Sequence, residues 1–283
     1  MKSKKIHSIE KKKVKNYVVK KRSVSKIKIK TNMTKTKTDK EKFDEAKALH
    51  KYIEKIRAKY KSDWKADDDK TKQHAVASYL IDTLALRPGD PNNVDTFGCS
   101  TLLVKHVSLT SANREMSLTF LGKGPVLYDR TISVPDEVFT NLEQFKQDKL
   151  EGDKIFDKIN CNTLNDYLKK IAGTNNVTCK VIRTYRANVE FEKKLQEYSK
   201  GKERKKVQYK RALTDVAQLL NHRRDNGTED NLDSGKKCYL DPRITLAWCH
   251  RYHVLMESVY SKHLIKQSKW AFKMSETKYK FAE

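Results

Sequence analysis

Five side chains spread along this sequence are of the types that act on a phosphodiester. They are Arg87 in LALRPGD (84–90), Lys123 in FLGKG (120–124), Arg183 in VIRTYRAN (181–188), His222 in LLNHRR (219–224) and Tyr239 in KKCYLDPRITLAWC (236–249). Two guanidiniums, an ammonium and an imidazole can surround one phosphate, and a phenol can attack it. A phosphodiester resists attack because its negative charge repels nucleophiles and more charge builds on its oxygens in the transition state. Arginine suits the task of holding that charge: its planar fork gives paired hydrogen bonds to phosphate and it stays charged. Taken singly, each residue has a plainer reading. An arginine at a helix end is commonly a salt-bridge partner, a histidine can be a satisfied half-buried side chain, and Tyr239 is one of 13 tyrosines.

The elements that would position these residues are legible from periodicity. Phe43, Ala46, Leu49, Ile53, Ile56 and Tyr60 recur at helical spacing, and a polar break at 65–72 separates that helix from a second over 73–86. Pro88 and Gly89 stop the second helix, which places Arg87 at a helix end. Residues 101–109, 115–121 and 126–134 are rich in β-branched and apolar types and are separated by turn-like segments. That pattern predicts a three-stranded antiparallel sheet with Lys123 at a hairpin tip. Helical spacing resumes around 138–145 and 164–171, from Arg183 towards Lys200, over 207–221, and over 244–260 with Pro242 near the first turn. Trp248, Tyr252, Trp270 and Phe272 would supply core to the last region. Residues 223–235 read as a polar, mobile connector. The expected fold is α+β: mainly α with one small three-stranded antiparallel sheet. Its expected parts are a basic disordered arm (1–42), a core domain (43–222), a short linker (223–235) and a C-terminal segment (236–283) that carries Tyr239.

Charge names the class of partner. The 283 residues carry a net +25, and residues 1–40 alone hold 16 Lys/Arg against Glu10 and Asp39. An acidic polymer is the natural counterpart of such a chain. The lysine-rich start has too little apolar surface to offset chain entropy; its plain reading is a solubilising arm, and its sharper one a nuclear address or a phosphate-tracking tail. No apolar run follows the lysines as in a secretory signal, and no stretch is long and apolar enough for a membrane helix. Cys99, Cys161, Cys179, Cys238 and Cys249 are odd in number and lack C-x-x-C spacing, which favours free thiols in a reducing compartment. Neither a zinc-type His/Cys pattern nor a phosphate-binding glycine loop is present, so no cofactor is expected.

The order and wording of the five phrases resemble the eukaryotic-type DNA topoisomerase IB family, whose catalytic domain is related to the tyrosine recombinases. The similarity covers roughly residues 43–283. Its most specific stretches are LALRPGD with the following VDTFGCSTL, then FLGKG, RTYRAN and YLDPRITLAWC, and the closing WAFKMSETKYKF is similar to the family's C-terminal tail. The resemblance implies a topoisomerase IB-like catalytic domain that relaxes supercoiled double-stranded DNA without ATP or metal, by nicking one strand through a 3′-phosphotyrosyl intermediate and resealing it. It makes Tyr239 the nucleophile, Lys123 the general acid on the leaving 5′ oxygen, Arg87 and Arg183 the phosphate clamps, and His222 a donor to a nonbridging oxygen. Lys123, Lys236, Arg87 and Arg183 would contact DNA, and the enzyme would be a nuclear monomer.

Three departures from the family pattern carry expectations of their own. A large cap domain normally precedes the helix at Phe43, where this sequence has about forty lysine-rich residues. That implies an open half-clamp, a cap supplied as a separate subunit, or a fragment. A long helical linker normally precedes the tyrosine, where this sequence has only 223–235. The family's Ser-Lys-x-x-Tyr signature reads Gly235-Lys236-Lys237-Cys238-Tyr239, and Gly124 follows the hairpin lysine where an acid is usual. Two other readings fit the same residues: a site-specific tyrosine recombinase, and a catalytically weak DNA-binding remnant.

Overall fold

A computed structural model of the chain describes residues 38–223, 230–272 and 278–282. The arm expected over 1–42 lies outside these residues up to position 37, and 38–42 open the first helix instead of ending a disordered segment. Thr38 caps that helix, α1 (Asp39–Ala48), in a reciprocal capping box with Glu41. Helix α2 (His50–Asp63) follows after Leu49, and Phe43, Ala46, Leu49, Ile53, Ile56 and Tyr60 are all buried, as their spacing predicts. Among the described residues no helix is long and apolar enough to cross a membrane.

Helix α3 (Asp69–Leu84) starts at an Asp68 cap and stops two residues earlier than expected. Its stop is Ala85, in the left-handed region at φ 48° and ψ 39°, and not the Pro-Gly pair. Arg87 therefore lies in a non-helical segment beyond the cap. Pro88 and Gly89 instead pin that segment. The Arg87 carbonyl accepts from Cys99 N at 2.8 Å, and the Pro88 carbonyl accepts from Ser100 N at 2.8 Å and Ser100 Oγ at 2.7 Å. Gly98 allows the close approach: a Cβ there would sit 2.6 Å from Gly89 Cα and 2.7 Å from the Arg87 carbonyl oxygen.

The sheet has the order β1 (Val107–Thr110), β2 (Glu115–Gly122), β3 (Val126–Ser133), all antiparallel. Its register pairs Phe120 with Tyr128 and Gly122 with Val126, which leaves Lys123 in the hairpin turn. Met116, Leu118, Phe120 and Tyr128 are buried on one face. The first strand is shorter than the sequence suggests. Residues 101–106, expected to extend it, fall largely in 3-10 turns (Cys99–Thr101 and Val104–His106). Thr101 Oγ1 accepts from Gly98 N at 2.9 Å and His106 Nδ1 from Leu103 N at 3.1 Å, local bonds that compete with a ladder.

Helices α4 (Asp136–Lys146), α5 (Cys161–Ala172), α6 (Cys179–Tyr198) and α7 (Lys205–Leu219) complete the core, with α7 packed along α6. Thr178 caps α6, so Arg183 sits in its second turn and does not begin it. The connector expected to be mobile over 223–235 is partly ordered: Arg223 bridges Asp230, and Asn231 caps a helix, α8 (Leu232–Cys238). Residues 224–229 of that connector lie outside the described residues. Pro242 opens α9 (Pro242–Tyr252), whose left-handed cap at His253 ends the helix short of residue 260. Two short helices, α10 (Lys262–Gln267) and α11 (Lys269–Phe272), follow. Trp248 is buried, while Tyr252, Trp270 and Phe272 are half-buried.

Candidate active site

Arg87, Lys123, Arg183, His222 and Tyr239 all line one cavity of about 270 Å³. They arrive there from five separate parts of the chain, over a sequence span from 87 to 239. Arg183 is the hub. It is 3% exposed, and its guanidinium donates to the Ala85 carbonyl and, at 2.6 Å, to the Leu220 carbonyl. Each of those carbonyls lies two residues before another site residue, Arg87 in one case and His222 in the other. One buried side chain thus ties together the two turns that present its partners.

The turn before His222 is built for the purpose. Asn221 adopts the left-handed conformation (φ 51°) just beyond α7, and His222 N donates to Ala217 O at 2.8 Å. The Asn221 side chain donates to Leu127 O at 3.1 Å, which fastens the β2–β3 hairpin to the same turn. Phe97 N donates to Leu121 O at 2.7 Å and holds the hairpin from the other side. Lys123 itself is exposed at the cavity rim.

Tyr239 ends α8 and is 8% exposed. Its hydroxyl accepts from Arg87 Nη1 at 3.2 Å, its ring lies 5.2 Å from the Arg183 guanidinium carbon, and the His222 ring centroid is 5.1 Å away. Burial raises the pKa of the phenol, but the Arg183 and Arg87 charges together outweigh burial, leaving it below the ordinary tyrosine value. Burial and the same two charges push His222 down to about 3, so the imidazole is neutral at physiological pH. Burial lowers Arg183 to about 10, with Tyr239 opposing and Arg87 assisting, and it remains charged at neutral pH.

Three buried polar atoms at this cavity have no hydrogen-bond partner among the described residues: Arg183 Nε, His222 Nδ1 and Tyr128 Oη. Buried polar groups are almost always paired, so the cavity-lining side chains retain unused hydrogen-bonding capacity. Two of the three belong to cation- or N–H-bearing side chains, which fits an anion.

The chain matches the family model described as eukaryotic DNA topoisomerase I, catalytic core, over residues 31–237, and the C-terminal topoisomerase domain over 211–281. It belongs to the eukaryotic DNA topoisomerase I family. Relatives include DNA topoisomerase 1 of Drosophila melanogaster, 31% identical over 85% of this chain and 32% of that protein. Human DNA topoisomerase 1 is 29% identical over 86% of this chain and 43% of its own length. The human mitochondrial DNA topoisomerase I is 28% identical over 85% and 54% respectively. The chain thus spans about a third to about half the length of these relatives.

Within this family member, Lys236 is the sequence-chosen residue that the cavity leaves out. Its ammonium pairs with Asp233 at 2.9 Å and faces the Tyr260 ring and the Val259 carbonyl. Sequence reasoning missed Tyr128, Asn221 and Asn188. The Asn188 amide donates to the Tyr239 carbonyl at 2.7 Å and accepts from Asp241 N at 2.7 Å. Asn221 carried a weak signal, since asparagine tolerates the left-handed cap. Tyr128 alternates correctly along its strand and gave no sign of a polar role. At Gly235, where the family signature has serine, a Cβ would meet only Leu240 Cδ1 at 3.9 Å, so packing around the first side-chain atom does not require glycine there.

Proposed function

We propose that this chain is a type IB DNA topoisomerase, which relaxes supercoiled double-stranded DNA through a transient nick. The observation that carries the reading is the meeting of all five side chains on one cavity, with Arg87 bonded to the Tyr239 hydroxyl. Tyr239 Oη attacks the scissile phosphorus as the P–O5′ bond breaks. Lys123 gives a proton to the departing 5′ oxygen. Arg87, Arg183 and His222 donate to the nonbridging oxygens, where charge develops. The depressed phenol pKa favours the reactive phenolate. The product is a 3′-phosphotyrosine and a free 5′ hydroxyl, and reversal reseals the strand. The ester conserves the energy of the broken bond, so ATP is not consumed. Fixed guanidiniums supply the charge stabilisation, so the chemistry is proposed to be independent of metal.

Completeness of the cavity supports an enzyme over a DNA-binding remnant. The test is supercoiled plasmid incubated with the wild type and with Tyr239→Phe in EDTA. The wild type relaxes the plasmid and the variant binds without relaxing it; a variant as active as the wild type would overturn the reading. Nuclear residence belongs to the same proposal, and a tagged full chain found in another compartment would contradict it.

A further inference from the structure

We infer that Asn188, braced from the C-terminal tail, is a positioning residue that sets Tyr239 against the phosphate-binding side chains; this rests on the proposed role of Tyr239 as nucleophile. Asn188 is 0% exposed, and its carboxamide is used on both sides. The amide nitrogen donates to Thr184 O at 2.8 Å and Tyr239 O at 2.7 Å, while the amide oxygen accepts from Asp241 N at 2.7 Å. One side chain therefore grips the backbone on both flanks of residue 240, much as a neighbouring strand would. Only a group with both donor and acceptor can do this. Asn188 and Arg183 lie on the same helix, α6, so the backbone of the nucleophile is gauged from the element that holds the central guanidinium.

The far side of the grip is fixed by the tail. The Asp241 carboxylate accepts from Arg243 Nη2 at 2.7 Å and from Tyr279 Oη at 2.9 Å. Arg243 continues to Asp44 on α1 at 2.8 Å. One turn beyond Asn188, Glu192 accepts from Phe281 N at 2.9 Å and Ala282 N at 3.2 Å, and Phe281 is fully buried. Residues 279–282 thus dock on α6 beside Asn188 and on Asp241, one residue after Leu240. The site needs this because Tyr239 ends a helix of only seven residues, Leu232–Cys238, too short to fix its position alone.

The experiment uses the full chain and measures single-turnover cleavage of a duplex, DNA affinity by anisotropy, and the 19F spectrum of 3-fluorotyrosine placed at position 239. Misplacement of a reacting group by about 1 Å can cost about 100-fold, so Asn188→Ala should slow cleavage by about 10- to 100-fold with DNA affinity within about threefold. Asn188→Asp, which keeps the shape and loses the donors, should behave the same way. Tyr279→Phe, which removes one oxygen, should slow cleavage less. In each variant the fluorine resonance should shift or broaden. Unchanged cleavage, or cleavage and affinity falling together with an unmoved resonance, overturns the inference. If Asn188 variants do not fold, Tyr279→Phe decides. Should the wild type form no adduct, the nucleophile reading fails, and the fluorine spectrum alone decides whether Asn188 positions Tyr239.

Discussion

The two walls of the cavity are built on different principles. On one, Arg183, His222 and Tyr239 are 3%, 7% and 8% exposed; the Arg183 guanidinium is tied to carbonyls just beyond α3 and α7, the His222 amide to Ala217 O on α7, and the Tyr239 carbonyl to Asn188 on α6. On the other, Lys123 stands exposed at a hairpin tip, whose strands are held near the site through the backbone carbonyls of Leu121 and Leu127. The difference matches the two tasks proposed for them. Charge stabilisation works best from fixed dipoles in a dry setting, where no reorganisation is needed during reaction. Proton delivery to a leaving oxygen needs a donor within hydrogen-bond reach of it once substrate is bound, which a side chain on a hairpin tip can attain. The buried wall is thus where folding and chemistry are coupled, and the hairpin wall is where they are separable.

Arg183→Ala should break the buried wall most severely. It removes a clamp and leaves the Ala85 and Leu220 carbonyls without their donor, so cleavage should fall by about 100- to 1,000-fold and the melting temperature should drop as well. Cleavage kinetics with a parallel thermal melt check both, and an unchanged melt would show that the coupling is absent. Lys123→Ala should slow cleavage by a similar or smaller factor of about 100 while leaving the melt untouched. A duplex with sulfur in place of the 5′ bridging oxygen, whose leaving group needs no proton, should restore most of that rate. Failure of the sulfur substrate to rescue would place Lys123 outside the acid role.

The smallest effect concerns acid stability. His222 is buried neutral with a pKa near 3, against about 6.5 in an unfolded chain. Between those values the unfolded state binds the extra proton, so stability is fully present above about 6.5 and is lost as pH falls towards 3. His222→Asn should flatten that decline in urea melts at pH 4–6, and an unaltered slope would show that other groups set it.

Much of this was legible in the sequence, for identifiable reasons. The stripe from Phe43 to Tyr60 and the alternation around Phe120 and Tyr128 survive because burial imposes their periods. What was hidden depended on local exceptions. Ala85 ends α3 in a left-handed conformation that alanine seldom adopts, stabilised from afar by Arg183, 98 residues later. Residues 231–235 look like connector because Asn231, Ser234 and Gly235 are turn formers, yet Asn231 acts as a helix cap. The five residues that line the cavity are recognisable as types in phrases, but their supports are not. Nothing in RTYRAN distinguishes an asparagine that holds Tyr239 from one that faces water. Lys236 stands out by its place in the signature, and its ammonium pairs with Asp233, three residues away.

The central claim is that the phenol of Tyr239 becomes joined to DNA among these cations. The most direct measurement is to trap the protein on a nicked duplex, digest both partners, and identify the modified peptide by mass spectrometry. The account predicts one adduct, on the peptide containing Tyr239, linked to a 3′ phosphate and leaving a 5′ hydroxyl strand. An adduct on another residue, a 5′ linkage, or strand cleavage without any covalent protein would contradict it.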